Sequence, residues 1–208
     1  MSVRFQSDDE YMRNLITTSG ISIGTQVKTK FMKQFISDTD PTGTYTLDLE
    51  ATQGRIKAAA QFIEHTGASE LIVCSGKDSA RVPIRKFAEL VGCKDIHKRF
   101  MPGTLTNPDL PKYMEPKLLL VCDPQVDAQA VTEATNAGIP VIGIANSDNV
   151  TSRLDVIIPA NNRGRGALAA IFWLLAREVL VIRGEVDETK PMKYEIDDFE
   201  TKDVREDE

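Results

Sequence analysis

The stretch Leu118 to Ala145 reads L-L-L-V-C-D-P-Q-V-D-A-Q-A-V-T-E-A-T-N-A-G-I-P-V-I-G-I-A and holds the repeating unit of the fold. Leu118 to Cys122 is apolar at every position, with no alternation, and Asp-Pro stops it. Such a short run predicts a strand buried on both faces. Val126, Ala130, Ala134 and Ala137 then recur every three or four residues, which predicts a helix ended by Gly138. Val141 to Ala145 is a second continuously apolar run. Strand, helix and strand in this order imply parallel strands joined across one face of a sheet.

Outward from this unit the pattern repeats. Ile56, Ala59, Ala60 and Ile63 form one helical stripe, and Leu71 to Cys74 (L-I-V-C) a strand. Ile84, Phe87, Ala88 and Val91 form a second stripe, closed by Gly92. Val156 to Ile158 is a fourth strand. Leu168, Ile171, Phe172, Leu175, Val179 and Ile182 make a last helix, and Trp173 and Leu174 extend its apolar surface almost all round, so it is predicted to be deeply buried. Before the alternation begins, Asp8 to Thr18 reads as a helix capped by Ser7, with Tyr11, Leu15 and Thr18 on one side. Phe31 to Ser37 and Thr44 to Leu49 read as a hairpin turning at D-P-T-G. The expected architecture is a three-layer α/β/α sandwich with a mainly parallel sheet, preceded by a helix and a hairpin.

Charge divides the chain unevenly. Its 208 residues hold 31 acids and 25 bases, a net of −6. Gly184 to Glu208 alone carries 11 acids and 4 bases, leaving 20 acids and 21 bases in residues 1–183, a net of +1. Residues 1–183 are therefore expected to form a single α/β domain. Residues 184–208 are expected to be an acidic, flexible tail, or one that orders only against a partner. A near-neutral body accommodates a nucleic acid when its bases share a face. No apolar run approaches the roughly 18 residues of a membrane span, and the first residues lack the apolar core of a secretory signal. Cys74, Cys93 and Cys122 are odd in number and far apart, the pattern of buried, reduced thiols in a cytoplasmic protein.

Two places at strand ends carry possible chemistry. Cys74 to Ser79, C-S-G-K-D-S, follows a strand and precedes a helix. It is similar to the diphosphate-cradling S-G-G-x-D-S loop of ATP pyrophosphatases but lacks one glycine. A nucleotide-dependent enzyme would use Ser75 to Ser79. The plainer reading is a tight turn with Asp78 or Ser79 capping the helix. Asp123, Asp127, Asn146, Asp148 and Asn149 cluster at the next strand ends, where carboxylates hold cations or attack substrates. Asp-Pro is equally a device for ending a strand and starting a helix.

Phosphate contact is the better fit elsewhere. Gln26, Lys28, Thr29, Lys30 and Lys33 alternate cations with hydroxyl and amide groups in a Gly-punctuated segment. Lys77, Arg81 and Arg85 lie at the start and along the face of one helix, the two arginines four residues apart. Lys98 and Arg99 lead into Gly103, Thr104, Thr106 and Asn107. Arg163 and Arg165 stand where free N–H groups favour an anion. Taken singly, each is equally a solvated face.

Several separate strings in one order carry a resemblance. They are G-I-S-I-G-T-Q-V-K-T-K (Gly20 to Lys30), R-F-M-P-G-T-L-T-N-P (Arg99 to Pro108), V-C-D-P-Q-V-D-A-Q-A-V (Val121 to Val131), G-I-P-V-I-G-I-A-N-S-D-N (Gly138 to Asn149), I-P-A-N-N-R-G-R (Ile158 to Arg165) and W-L-L-A-R-E-V-L (Trp173 to Leu180). Together they resemble the archaeal and eukaryotic branch of the small-subunit ribosomal protein S2 family over roughly Gly20 to Leu180. Ser22 departs from the histidine of most relatives. No segment is long enough for the projecting helical hairpin of bacterial members. The resemblance implies a flavodoxin-like strand order, 2-1-3-4-5, with the hairpin strands at its start. It implies a structural, cytoplasmic ribosomal component near the head–body junction and messenger path, with no reaction, metal, cofactor, membrane or small-molecule substrate. It also implies that most of the residues above, with Asn161 and Asn162, contact ribosomal RNA or neighbouring ribosomal proteins.

Overall fold

The structure, a computed structural model, describes residues 11–186 and 192–201. In chain order it comprises α1 (residues 11–18), β1 (Ile36–Thr39), β2 (Tyr45–Leu47), α2 (Leu49–Thr66), β3 (Leu71–Cys74), α3 (Arg81–Val91), β4 (Lys94–Ile96), β5 (Leu118–Val121), α4 (Ala128–Ala137), β6 (Val141–Ala145), β7 (Val156–Pro159), α5 (Arg165–Arg183) and α6 (Ile196–Phe199). Five strands form one sheet in the order β4-β3-β5-β6-β7, each pair parallel. Counted along the chain, that is the expected 2-1-3-4-5. The hairpin is a separate two-stranded antiparallel sheet.

β4 carries no apolar run, because as an edge strand it has one neighbour and half-exposed side chains. It pairs through its backbone, with Ile72 opposite Lys94. The central strands β3, β5 and β6 are buried at every position. One face, with Leu71, Val73, Leu118, Leu120, Ile142 and Ile144, packs against α1, α2, α3 and α5. The other, with Ile72, Leu119, Val121 and Val141, is covered by Ala130, Val131 and Ala134 of α4 and by Phe100 and Leu105 of the long loop after β4. Met32 and Phe35 cover the same sheet near Ala145 and Ile157.

Three expected faces move. In α1 the buried side is Met12, Leu15 and Ile16, while Tyr11 is half exposed and packs its ring 6.4 Å from that of Trp173; the expected start of this helix, Ser7 to Glu10, lies outside the described residues. In α4, Val126 is exposed because the helix begins two residues after it, and the buried stripe is Ala130, Val131, Glu133 and Ala134. Ile182 is exposed in the last turn of α5. Arg183 instead bonds Glu64 at 2.8 Å and the Val91 carbonyl at 2.9 Å.

The segment after α1 runs alongside β2. Gly24 N–H donates to the Tyr45 carbonyl at 2.8 Å, Tyr45 N–H to Thr25, and Leu47 N–H to the carbonyl of Ser22. A Cβ on Gly24 would lie 2.5 Å from the Tyr45 oxygen, so this approach requires glycine. Ser22 thus serves the fold through its backbone.

Within the stretch set apart by its acidity, residues 192–201 lie against α3 and α5. Trp173 Nε1 donates to the Tyr194 carbonyl at 2.9 Å, Lys193 and Tyr194 reach Glu89, Lys86 sits 3.6 Å above the Tyr194 ring, and Thr201 bonds the Ser79 carbonyl. Phe199 is completely buried in the main core. Phe199→Ala is expected to cost about 3 kcal/mol, which for a chain of this length lowers Tm by about 10 °C. Thermal unfolding followed by circular dichroism checks this; an unchanged midpoint would mean the strap adds nothing to the core.

Candidate nucleic-acid interface

The carboxyl ends of β3, β5, β6 and β7 meet at one edge, where doubly wound sheets place their ligands. Here the chain's own polar groups bridge the turns along that edge. Asp127, at the start of α4, accepts Gly76 N–H at 2.7 Å and Asp123 N–H at 3.3 Å. Lys77 reaches across to Asp123 Oδ2 at 2.5 Å and donates to the Asn162 carbonyl at 2.9 Å. Asn149 Nδ2 donates to Asp123, Asn162 Nδ2 donates to Asn149 Oδ1 at 2.9 Å and to the Ile144 carbonyl, and Asn146 N–H donates to Asn149 Oδ1. Each strand-end turn is thereby tied to its neighbour.

This arrangement bears on both candidate chemistries. In the Ser75 to Ser79 loop, Gly76 N–H serves Asp127, Lys77 N–H serves Ser75 Oγ, and the Lys77 ammonium serves Asp123, so these three donors are occupied. Neither Asp78 nor Ser79 caps α3; a short 3-10 turn over Asp78–Ala80 leads into it without a side-chain cap. Among the described residues, no group of three His, Cys, Asp or Glu is placed to hold a metal ion. Burial pushes the Cys74 and Cys122 thiols up, and Cys93 up to about 12, which keeps all three protonated. His97 is held by Asp95.

The loop after Arg99 is organised by a residue the sequence did not single out. Glu133, on the inner side of α4, accepts Gly103 N–H at 2.7 Å and Leu105 N–H at 3.2 Å, with Gln129 donating from the same helix. The P-G-T-L-T loop therefore wraps an internal carboxylate. Gly103 takes φ +91°, and a Cβ there would meet Leu110 at 2.7 Å. Thr104 is buried and bonds the Met101 carbonyl, whereas Thr106 and Asn107 are exposed. The one sequence signal for Glu133 was its place on an otherwise Ala and Val stripe.

The other expected contacts divide in the same way. Thr29 donates its hydroxyl to the Asn149 carbonyl at 2.8 Å and its N–H to Ser147, stapling its segment to the sheet edge. Asn161 Oδ1 accepts the Arg163 and Gly164 N–H groups, and Asn162 is buried in the lattice. Lys77 is spent on Asp123. Facing solvent are Gln26, Lys28, Lys30, Lys33, Arg81, Arg85, Lys98, Arg99 and Arg165. Arg163 is also exposed and pairs with Asp148. Lys28 lies 4.6 Å above the Tyr45 ring. These exposed bases occupy four regions: the segment before the hairpin, the outer face of α3, the start of the long loop, and the start of α5.

Asp123 and Asp127 are thus used internally, while a set of bases faces outward. A family model for ribosomal protein S2 matches residues 17–113 and 110–181. The small ribosomal subunit protein uS2 of Nitrosopumilus maritimus is 61% identical over 197 residues, covering 95% of each chain. Those of Thermofilum pendens and Picrophilus torridus are 49% and 44% identical, over 88% and 93% of this chain and 86% and 94% of their own. The chain belongs to the ribosomal protein S2 family, and its similarity is to archaeal members.

Burial raises Asp127 to about 6, against the opposing pull of the Gly76 and Asp123 N–H donors. A folded pKa above the unfolded one favours the native state most at low pH: that contribution is complete below about pH 4 and lost as pH rises through 6. Relative to Asp127→Asn, wild type is expected to lose up to about 3 kcal/mol of stability between pH 4 and 7. Urea unfolding at each pH measures it, and parallel curves for the two proteins would contradict it. Glu133→Ala is expected to cost about 2 kcal/mol by leaving buried N–H groups unpaired. Hydrogen exchange at Gly103 and Leu105 should accelerate in that variant, while β5 amides stay protected.

Proposed function

We propose that this protein is a structural constituent of the small ribosomal subunit in the cytoplasm. It binds ribosomal RNA and neighbouring ribosomal proteins near the head–body junction and supports the messenger path during initiation. Family membership supports the subunit role, since the three archaeal relatives are named small-subunit proteins. The observation that carries RNA contact is the division of labour at the surface. Lys30, Lys33, Arg81, Arg85, Lys98 and Arg99 face solvent, while the nearby acids Asp123, Asp127 and Glu133 are turned inward onto backbone N–H groups. Phosphate affinity follows local potential, so outward-facing bases attract a polyanion despite the net charge. Thr106, Asn107, Arg163 and Arg165 complete the contact set. Thr29, Lys77, Gly103, Thr104, Asn161 and Asn162 shape it from beneath.

No catalytic step is assigned. The rival nucleotide-dependent reading needed the Ser75 to Ser79 donors, of which the Gly76 and Lys77 N–H groups are committed internally. The double variants Arg81→Ala with Arg85→Ala, and Lys98→Ala with Arg99→Ala, are expected to enter small subunits poorly while unfolding at the wild-type temperature. Each lost phosphate contact should flatten the slope of log affinity against log salt by about 1. Gradient sedimentation with occupancy measured by mass spectrometry reads the first effect. Wild-type occupancy in both variants would overturn the assignment of these bases.

A further inference from the structure

Between Tyr11 and Ser37 the chain holds four bases, Arg13, Lys28, Lys30 and Lys33, and no acid. Inside that stretch one large aromatic side chain is presented to solvent. Phe31 is 45% exposed, although Met32 beside it and Phe35 one turn on are buried against the sheet. Its position is fixed from both sides. Thr29 N–H bonds the Ser147 carbonyl at 2.9 Å, Thr29 Oγ1 donates to the Asn149 carbonyl at 2.8 Å and accepts Met32 N–H at 3.3 Å. Met32 is wholly buried. The backbone around Phe31 is thus anchored while its ring makes no aromatic or cation–π contact among the described residues. Lys30 and Lys33 flank it, exposed, and neither is in an ion pair among the described residues.

A fixed, outward ring in an acid-free segment, between ammonium groups outside any ion pair among the described residues, matches one kind of ligand: an unstacked nucleobase with its phosphates. Stacking on an aromatic face is open to any base and needs the base splayed from a helix, while the cations follow the backbone. A duplex offers no such face. We propose that Phe31 is the stacking platform for an unpaired base of the RNA this protein binds, with Lys30 and Lys33 on the adjoining phosphates. This rests on the RNA-binding reading above and names the form of RNA at this segment.

The full-length protein is titrated with a short, unpaired, adenine-rich RNA and with a duplex of the same strand, each fluorescently labelled. Phe31→Ala is expected to weaken the unpaired RNA about tenfold, with duplex binding and the salt slope unchanged; Phe31→Trp should restore affinity. Lys30→Ala with Lys33→Ala should weaken both RNAs and flatten the salt slope. An unchanged affinity of Phe31→Ala for the unpaired RNA overturns the stacking role; if the lysine variant still weakens binding, the RNA-binding reading stands without it. Normal RNA affinity with lowered subunit occupancy also overturns it, and assigns Phe31 to a protein contact. Failure of the wild-type chain to bind either RNA overturns both.

Discussion

Lys77 and Asp123 face each other across the carboxyl edge of the sheet, and Asp127 beside them grips the backbone of both adjoining turns. A parallel sheet leaves its strand-end turns without ladder partners, so each must find another way to satisfy its N–H and carbonyl groups. In this chain one ion pair, one buried carboxylate and three asparagines do so together. The lattice fixes the turn after β3 to the turn after β5, and through Asn149 and Asn162 to those after β6 and β7. Removing one member would strand buried polar groups, which costs more than the bond itself gains.

The same economy shapes the surface. Three carboxylates are turned inward: Glu133 is wrapped by the loop it organises, and Asp127 and Asp123 are enclosed at the edge. The bases stay outside on segments whose backbone is pinned from below, as Thr29 pins its own. Such a surface needs little reorganisation on contact, which lowers the entropic cost of binding. The strap of residues 192–201 borders the α3 region of this surface through Glu89 and Lys86.

Much of this was legible in the chain. Continuous apolar strands, stripes at helical spacing and glycine stops gave four strands and the main helices close to their observed bounds, because burial on both faces leaves a pattern that no surface segment shares. The motif strings identified the family. β4 was silent, since an edge strand of three residues is recruited by its backbone. Tyr11 and Val126 misled because a stripe read without knowing where a helix begins can be turned by one residue. Phe199 was hidden in an acidic segment: one aromatic ring suffices to dock a strap, yet barely alters its composition.

Sequence alone thus determined the layered architecture, the family, and which residue types were on offer at the edge. It could not decide which polar residues were spent. Lys77 and Lys30 are the same residue in similar company, and so are Asp123 and Asp78. Only the tertiary structure separates them, because pairing at hydrogen-bond range depends on strands far apart in sequence being brought to one edge. Lys77 meets Asp123 there and disappears into the scaffold; Lys30 stays exposed and in no ion pair among the described residues.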